Sequence, residues 1–408
     1  MFFKIYKILK RSNLNFSTPS NVEVLILDDE SSKPIEEVIS NYKYFILQAR
    51  AYKIDTLFIN LKIIFFSIYF FRGNFLSSYL ISLIKIIKPK IVITHIDNSL
   101  KFSEIALRFK KIDKNIKFIA VQNGARYAIL ENHYLFKKKK IKDNINKKLY
   151  IPIFLSLGNY EKKLYKKLDI KVNKIIPVGS LSVESYKKYK KVNKIKIKKK
   201  RQICLLSDHG AWDPEMSKFD SNLEKNFILL SEFCLKFSNK YNYKLVICQK
   251  RNKPGFRLNP GDKTDHEYEQ MGYKKYLNHK YFVQFKKKLL KRRSETSLIT
   301  KNKFNTYKIM EESEVLVSSM SLMLRENILL RNKILAANLT GYSVYNFPLN
   351  KFFTFNGNRY EEFEKKLFSI LKMRKTEYFK KAGKNIDYCI LNNSSPTRLI
   401  RSVIKQYI

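Results

Sequence analysis

The sequence predicts an α/β protein with two Rossmann-like domains, each a doubly wound parallel sheet. Short runs rich in Ile and Val recur along the chain, and segments of helical length separate them. The runs lack strict polar–apolar alternation, which is typical of parallel strands buried on both faces. The pattern stops at a lysine-rich segment and then begins again. At about 100–200 residues per domain, 408 residues are enough for two such domains.

The first half predicts six strands joined by helices. Right-handed crossovers between parallel strands place the helices on both faces of the sheet. The expected strands are 22–27, 56–60, 90–95, 116–122, 151–157 and 174–179, and the expected helices are 75–88, 99–111 and 159–168.

The segment LFINLKIIFFSIYFF at 57–71 is the strongest membrane-spanning candidate in the chain. It is shorter than the ~20 residues that a transmembrane helix needs, and Lys62 interrupts it. We therefore expect a buried strand and helix, with contact to a membrane as the alternative. The N-terminus MFFKIYKILKRSN lacks a small-residue cleavage site, so it is a poor signal peptide. A helix lying on a membrane and an ordinary surface helix both fit it.

The lysine-rich segment KKYKKVNKIKIKKKR at 187–201 predicts a domain boundary. We expect an N-terminal domain over 1–190, a basic linker over 191–201, and a C-terminal domain over 202–408 that includes the closing helices. The second domain is expected to have strands at 202–208, 243–251, 315–319 and 333–338, and helices at 220–240, 268–277, 359–373, 375–390 and 396–406.

The charge and the cysteine content limit which partners and which cellular compartment fit the sequence. Lys and Arg number 81 and Asp and Glu 35, a net charge of +46 that is spread along a chain rich in Lys, Ile and Asn. No nucleic-acid-binding module accompanies this charge, so we expect no nucleic acid partner. Background composition explains most of the excess, and an anionic membrane surface is the partner that fits the rest. The four cysteines form no C-x-x-C pair and indicate a reducing cytoplasm rather than a zinc site.

Residues 313–330, SEVLVSSMSLMLRENILL, place serines where a strand ends and a helix begins. Open parallel sheets bind ligands at this edge, facing helix N-termini. The hydroxyls of Ser318, Ser319 and Ser321 and the free N–H groups of the helix predict a phosphate cradle. Glu326 follows in the helix, where a carboxylate can accept hydrogen bonds from a ribose diol. An ordinary N-cap serine with a nearby acidic residue is the alternative interpretation.

Other strand ends carry polar residues of the same kind. Lys250 and Arg251 follow a strand in the second half, where they can neutralise a diphosphate, and Ser207 and Asp208 end another. In the first half, two neighbouring strand ends predict an acceptor site for a polyhydroxylated molecule. Its candidate residues are His95, Asp97, Asn98, Gln122, Asn123, Gly124 and Arg126. Each residue taken alone also fits an ordinary turn or a solvated corner.

Several segments together resemble bacterial surface-carbohydrate or O-antigen biosynthesis proteins, which look like GT-B glycosyltransferases. The segments are KPKIVITHIDNSLKFSEIA, IKFIAVQNGAR, FLSLGNYEKKLYKKLDIKVNKIIPVGSL and YKIMEESEVLVSSMSLMLRENILLRNKILAANLTG, and the resemblance covers about 85–360. It implies two Rossmann-like domains facing a cleft, with the nucleotide-sugar donor on the C-terminal domain and the acceptor on the N-terminal domain.

The resemblance also assigns residues. Ser319 and Ser321 match phosphate-facing serines, and Glu326 matches the helix acid. Lys250 and Arg251 match a basic turn at the end of a strand. Gly179 and Ser180 match the turn near the domain junction. One departure is that Leu324 and Arg325 stand where a small residue is expected before the acid.

The function expected from these features is transfer of a sugar from a nucleotide-sugar donor to a glycan or lipid-linked glycan in O-antigen, lipopolysaccharide or related surface-polysaccharide synthesis. We expect no metal and no cofactor, because Asp28 and Asp29 are adjacent rather than one residue apart. Asp97 is the first candidate for the general base and His95 the second. The expected place is the cytoplasm, with docking on the inner face of the membrane.

Two other functions remain open at this point. One is transfer of a polyol phosphate from a CDP-glycerol-like donor. The other is a non-catalytic relative that binds a glycan or a nucleotide, which the departure at Leu324 and Arg325 favours.

Overall fold

The structure, a computed structural model, divides the chain into two compact units. It describes residues 10, 12–50, 54–125, 149–207, 222–248, 304–319, 321–341, 346–383, 385–392 and 395–408. Of these, the first unit holds the residues up to 124, residues 149–184 and residues 395–408, and the second unit holds most of the rest. Elements are numbered below in chain order.

The first unit is built on a six-stranded, fully parallel sheet. Its strands are β2 (Val24–Leu27), β3 (Tyr44–Leu47), β5 (Ile91–Thr94), β6 (Lys117–Val121), β7 (Tyr150–Ser156) and β8 (Lys171–Pro177). They lie in the order β3-β2-β5-β6-β7-β8. Every residue of β2 and β5 is buried, as the continuous apolar runs predicted. Two short strands, β1 (Asn13–Asn15) and β4 (Thr56–Phe58), pair with each other. The strand expected at 56–60 is therefore present but lies outside the six-stranded sheet, which contains β3 instead, a strand that was not predicted from the sequence.

Among the described residues before 193, six helices begin in the first unit: α1 (Lys33–Ile39), α2 (Leu61–Tyr69), α3 (Phe75–Ile87), α4 (Leu100–Ile112), α5 (Tyr160–Lys167) and α6 (Leu181–Val192). The side chains of Asn60, Asn74 and Ser99 cap α2, α3 and α4 by accepting a backbone N–H of the first turn. The strand and helix expected within 57–71 are present as β4 and α2. The expectation that they are buried is wrong for one face of α2, which is exposed.

The second unit contains a five-stranded parallel sheet in the order β10-β9-β11-β12-β13. The strands are β9 (Gln202–Leu206), β10 (Lys244–Cys248), β11 (Val315–Ser318), β12 (Lys333–Ala337) and β13 (Thr354–Phe355). The described helices are α7 (Asn222–Lys240), α8 (Asn305–Glu312), α9 (Leu322–Leu329), α10 (Tyr360–Lys372), α11 (Lys375–Ala382) and α12 (Asn385–Cys389). The helix expected at 268–277 lies outside the described residues.

The last helix, α13 (Pro396–Lys405), belongs to the first unit and not to the C-terminal domain to which the sequence assigned it. Ile400 and Ile404 are fully buried in one core cluster with Val24 and Ile26 of β2. The Glu184 carboxylate in α6 accepts hydrogen bonds from Ser395 Oγ at 2.6 Å and from the Thr397 amide at 2.9 Å. An amphipathic sequence specifies that a helix must pack on a sheet but does not specify which sheet.

The chain passes from the first unit to the second within α6, between Glu184 and Ser185. The expected linker at 191–201 begins in the last turn of this helix and runs up to β9. None of the described helices has both the length and the apolarity needed to cross a bilayer.

Candidate functional site

In each of the two larger sheets, the order of the described strands reverses direction at one point. In the second unit, β10 lies on one side of β9 and β11 lies on the other. In the first unit, β3 and β5 flank β2 in the same way. The loops after the two strands at such a switch point run to opposite faces of the sheet and leave a crevice at the carboxyl ends, where open α/β sheets bind ligands. Each unit is described separately below.

Two buried serines flank the switch point of the second unit. Ser207 directly follows β9, and Ser318 ends the neighbouring strand β11, where Val317 is in register with Leu205. Ser207 is 7% exposed and Ser318 is 1% exposed. Neither hydroxyl oxygen has a hydrogen-bond partner within the part of the chain that the structure describes. Burying an unpaired hydroxyl costs about 1–3 kcal/mol, so an acceptor group that reaches either hydroxyl would recover this energy.

The next two serines lead into helix α9. Ser319 is 4% exposed, and Ser321 is the N-cap of α9, with its hydroxyl accepting the Met323 amide at 3.2 Å. The arrangement of strand end, serines and helix start is therefore present as predicted. The Ser321 hydroxyl itself acts as the ordinary N-cap of the alternative interpretation.

Glu326 is held inside the helical layer and is 3% exposed. Its Oε2 accepts a hydrogen bond of 2.8 Å from the Tyr307 hydroxyl of α8. The Tyr307 ring stacks on Tyr186 at 5.1 Å, and the Tyr186 hydroxyl donates to Glu311 at 2.6 Å. These contacts give Glu326 a role in joining α8 to α9, and contact with a ribose stays a prediction.

The two residues that depart from the family pattern are buried as well. Leu324 is fully buried, and the Arg325 guanidinium donates to the Cys389 carbonyl of α12. Both side chains are thus accommodated inside the second unit.

Four predicted site residues lie outside the described part of the chain: Arg126, Asp208, Lys250 and Arg251. Two of them follow β10 by two and three residues, and β10 is the strand next to β9. Their assignment to the site therefore stays a prediction.

The switch point of the first unit is rich in charged groups. Asp28, which directly follows β2, is 5% exposed and has a positive φ of 79°. Its carboxylate accepts from Arg50 Nε at 2.7 Å, and the same guanidinium forms an ion pair with Glu30. Arg50 follows the edge strand β3. Nothing in the sequence singles out Arg50, because its partners become neighbours only when the sheet forms.

His95 reaches across this switch point. It follows β5, is 6% exposed, and its Nδ1 lies 2.7 Å from the carbonyl oxygen of Ser31 in the loop after β2. A carbonyl only accepts, so Nδ1 must carry the proton. In the neutral ring the lone pair is then on Nε2, which is the arrangement of a general base.

Asp97 is more deeply buried than His95, at 1% exposure. Its Oδ2 accepts from the Tyr165 hydroxyl at 3.1 Å, and its Oδ1 lies 3.4 Å from the Asn123 amide. The carboxylate therefore ties the end of β5 to the loop after β6 and to helix α5. Tyr165 was not expected from the sequence.

Gln122 uses its whole side-chain amide within the fold. Its Oε1 accepts the Leu157 amide at 2.9 Å, and its Nε2 donates to Glu161 and to the Gly124 carbonyl, each at 3.0 Å. By contrast, Asn98 is exposed and Asn123 is partly exposed. Among the predicted acceptor residues, these two side chains are thus the more accessible to a ligand.

Gly179 and Ser180 form the start of α6. Gly179 has a φ of 87°, a region that favours glycine, and the Ser180 hydroxyl accepts the Val183 amide at 3.3 Å as a helix cap. The turn expected near the domain junction is present, and donor contact through it stays a prediction.

No group of three or more His, Cys, Asp or Glu side chains in the described ranges is placed to hold a metal ion. The absence of a metal and of a cofactor from the reaction stays a prediction.

No family model matches the chain, and no curated protein matches its sequence. Its fold is similar to that of UDP-GlcNAc 2-epimerase from Neisseria meningitidis bound to UDP-GlcNAc, with a TM-score of 0.51 and 13% identity over 94% of this chain and 99% of that one. It is also similar to UDP-GlcNAc 2-epimerase from Methanocaldococcus jannaschii in complex with UDP-GlcNAc and UDP, with a TM-score of 0.50 and 14% identity over the same shares.

A variant of the wall teichoic acid polymerase TagF has a TM-score of 0.46 and 11% identity, over 96% of this chain and 89% of that one. The prediction of a GT-B-like α/β fold with parallel, Rossmann-like sheets is confirmed by the two epimerase folds and by the strand order.

Proposed function

We propose that this chain is a GT-B-like glycosyltransferase that moves a sugar from a nucleotide-sugar donor to a surface glycan acceptor. The observation that carries the proposal is the pair of buried hydroxyls of Ser207 and Ser318 at the switch point of the second unit, which have no hydrogen-bond partner among the described residues. Two hydroxyl donors beside the N-terminus of α9 suit the oxygens of a diphosphate. The similarity of the fold to two epimerases that bind UDP-GlcNAc also supports a nucleotide-sugar ligand.

In this proposal the second unit stabilises the leaving nucleotide. As the bond from the sugar to the diphosphate breaks, negative charge develops on the departing phosphate. The hydroxyls of Ser207, Ser318 and Ser319, the first N–H groups of α9, and the cations Lys250 and Arg251 stabilise that charge without a metal. Groups that are oriented before the reaction need no reorganisation as the charge forms.

The first unit supplies the acceptor side and the base. We assign the base to His95, because its Nδ1 proton is committed to the Ser31 carbonyl. Nε2 would then take the proton of the acceptor hydroxyl in an inverting transfer. Asp97 becomes a positioning residue, since its oxygens hold Tyr165 and the Asn123 amide. Exposed Asn98 and partly exposed Asn123 are the residues proposed to contact the acceptor glycan.

The donor site is tested by thermal unfolding with UDP, CMP, CDP, GDP and dTDP in separate samples. Binding to the folded state alone raises the Tm, by an amount equivalent to about 2.7 kcal/mol at a hundredfold excess over Kd. Stabilisation by one nucleotide identifies the donor base. If none of them stabilises the protein, the nucleotide site is refuted, and binding to glycans becomes the property to examine.

Glu326→Gln is the informative variant at the helix acid, because glutamine still accepts from Tyr307. If Glu326 binds the ribose, this variant weakens nucleotide binding while the Tm without ligand stays near that of the wild type. If binding is unchanged, Glu326 has the structural role alone.

Product analysis separates sugar transfer from its alternatives. A glycosyltransferase releases a nucleoside diphosphate and needs an acceptor, whereas transfer of a polyol phosphate from a CDP-linked donor releases CMP. A change in the sugar without any acceptor would indicate an epimerase, the activity of the two similar UDP-GlcNAc 2-epimerases. Nucleotide binding without any product would indicate a non-catalytic relative. We propose that this transfer belongs to the synthesis of O-antigen or a related surface polysaccharide. We also propose that the protein works in the cytoplasm, at or near the membrane.

A further inference from the structure

Helix α2 presents an apolar face to solvent. Its outward residues are Leu61, Ile64, Phe65, Ile68 and Tyr69, which are 87%, 45%, 63%, 69% and 71% exposed. The Phe65 and Tyr69 rings stack on each other at 6.4 Å. These five residues are called the α2 face below.

The spacing of the α2 face is that of a stripe that helices normally bury. The residues stand at i, i+3, i+4, i+7 and i+8, yet α2 packs on its own unit through the opposite side. There Ile63 and Ser67 are buried, and the Ser67 hydroxyl lies 3.2 Å from that of Ser82 in α3. A helix that is apolar all round belongs in a core or in lipid.

The apolar surface is large for a protein without a partner on it. At about 200 Å² for each fully exposed side chain, the fractions above give an area on the order of 600 Å². The largest patch on a typical monomer is about 300–600 Å² and is often functional. Phe16 is 70% exposed and stands two residues before Thr18. The Thr18 hydroxyl accepts a hydrogen bond of 3.1 Å from the side-chain amide of Asn60, at the start of α2. Phe71, 43% exposed, follows the helix.

The charge around the α2 face is positive. The chain has no acidic residue between Asp55 and Asp97. Lys62, in the first turn of α2, and Arg72, just after the helix, are both exposed. A long basic side chain at the edge of an apolar face can lay its stem on the hydrocarbon and extend its charge to the headgroups.

A second arginine stands near the end of α2. Arg108 of α4 donates a hydrogen bond to the carbonyl oxygen of Phe70, the residue that follows the helix. Desolvation lowers the pKa of Arg108; Glu104 opposes that shift, and the charge of Arg72 adds to it. Arg72 therefore lies close enough to Arg108 to repel it, and a phosphate headgroup near both would relieve the repulsion.

We propose that α2 docks the protein on an anionic phospholipid membrane, lying parallel to the surface with the α2 face among the upper acyl chains. At nine residues it is far too short to span a bilayer, but an amphipathic helix in the interface needs no such length. Aromatic side chains favour that interface, and basic flanks favour anionic headgroups. A face meant for a second copy of the chain would bring these cations against each other.

This inference extends the proposed function, because a lipid-linked acceptor is presented at such a surface. It rests on α2 and its flanks alone, and its test uses no nucleotide. Loss of nucleotide binding or of transfer would leave it intact, and loss of lipid binding would leave the donor site intact.

The test is sedimentation of the full chain with phosphatidylcholine vesicles, with and without phosphatidylglycerol, at low and high salt. We expect binding to the anionic vesicles that salt weakens. The double variant Phe65→Ser/Ile68→Ser should lower the affinity by more than about tenfold, because two large apolar side chains no longer enter the bilayer. The matched control is Leu107→Ser/Val192→Ser, which removes two helical apolar side chains that are 51% and 79% exposed.

Lys62→Glu provides a second, independent variant. It keeps the α2 face intact and reverses one flanking charge, so binding to anionic vesicles should fall while the Tm stays unchanged. The proposal is overturned if the Phe65→Ser/Ile68→Ser variant sediments like the wild type. It is also overturned if the wild type ignores both kinds of vesicle and forms a dimer that this variant dissociates, since the α2 face would then bind a second copy.

Discussion

Replacing Ser318 by alanine should stabilise the protein without ligand and weaken its binding of nucleotide. The hydroxyl is 1% exposed and has no hydrogen-bond partner within the described part of the chain. An unsatisfied buried hydroxyl costs about 1–3 kcal/mol, so its removal should raise the free energy of unfolding by about 1 kcal/mol or more. In a unit of roughly 200 residues, each kcal/mol corresponds to about 2–4 °C in Tm.

The same substitution removes a donor to the diphosphate. A hydrogen bond to a charged group contributes about 1.5–3 kcal/mol, which is roughly a 10- to 150-fold change in Kd. Thermal unfolding measures the first effect, and calorimetric titration with the nucleotide that stabilises the wild type measures the second. A residue that serves only the fold would not shift stability and affinity in opposite directions.

Ser238→Ala is the matched control for this experiment. Ser238 is 2% exposed in α7 of the same unit, and its hydroxyl is likewise unpaired among the described residues. It does not stand at a strand end, so alanine there should stabilise the protein and leave the Kd unchanged. The reasoning is refuted if Ser318→Ala binds nucleotide as tightly as the wild type does, or if the variant is less stable without ligand.

Three further predictions concern other parts of the structure. Tyr378→Phe should destabilise the second unit by about 2–4 kcal/mol, because two backbone groups would lose their hydrogen-bond partner. The fully buried Tyr378 hydroxyl donates to the Ile334 carbonyl at 2.8 Å and accepts the Ile334 amide at 3.0 Å. Urea unfolding measures this, and a change below 0.5 kcal/mol would contradict it. His95→Gln should slow transfer by roughly 10²–10⁴-fold with donor Kd unchanged, and transfer assays that find a rate near the wild type would exclude the base role. Desolvation, aided by the charge of Lys375, lowers the pKa of Lys199 from 10.5 to about 8. Between pH 8 and 10.5, Lys199 in the unfolded chain holds a proton that the folded state has released. The stability of the wild type relative to Lys199→Met should therefore rise with pH from about 8 to 10.5. Unfolding titrations of both proteins across this range check the sign, and a difference independent of pH would disprove it.

Much of the site could be located from sequence because it depends on strand ends. Ser207 and Ser318 each end an apolar run, and both runs are strands in the structure. The sequence could not predict that the two hydroxyls have no partner among the described residues, since that depends on which strands are neighbours. Arg50 and Tyr165 were missed for the same reason: their partners, Asp28 and Asp97, are 22 and 68 residues away in the chain.

For residues 57–71, the sequence predicted more burial than the structure shows. An apolar helix is normally a core helix, so burial was the natural expectation for α2. Whether the outer face is covered depends on how many elements pack around it, and periodicity alone carries no information about that number. The exposed fractions of Phe65 and Tyr69 became known only with the three-dimensional arrangement.

The sequence alone indicated most of the local elements, that the sheets are parallel, and that polar residues gather at strand ends, although it missed β3 and α1. Those properties follow from the order of apolar, polar and capping residues over short stretches. Tertiary structure alone decided the strand order, and with it the two switch points. It also decided that α13 returns to the first sheet, and that α2 leaves one apolar face in solvent. Such choices depend on contacts between segments far apart in the chain, because an apolar stripe requires a packing partner without specifying which one.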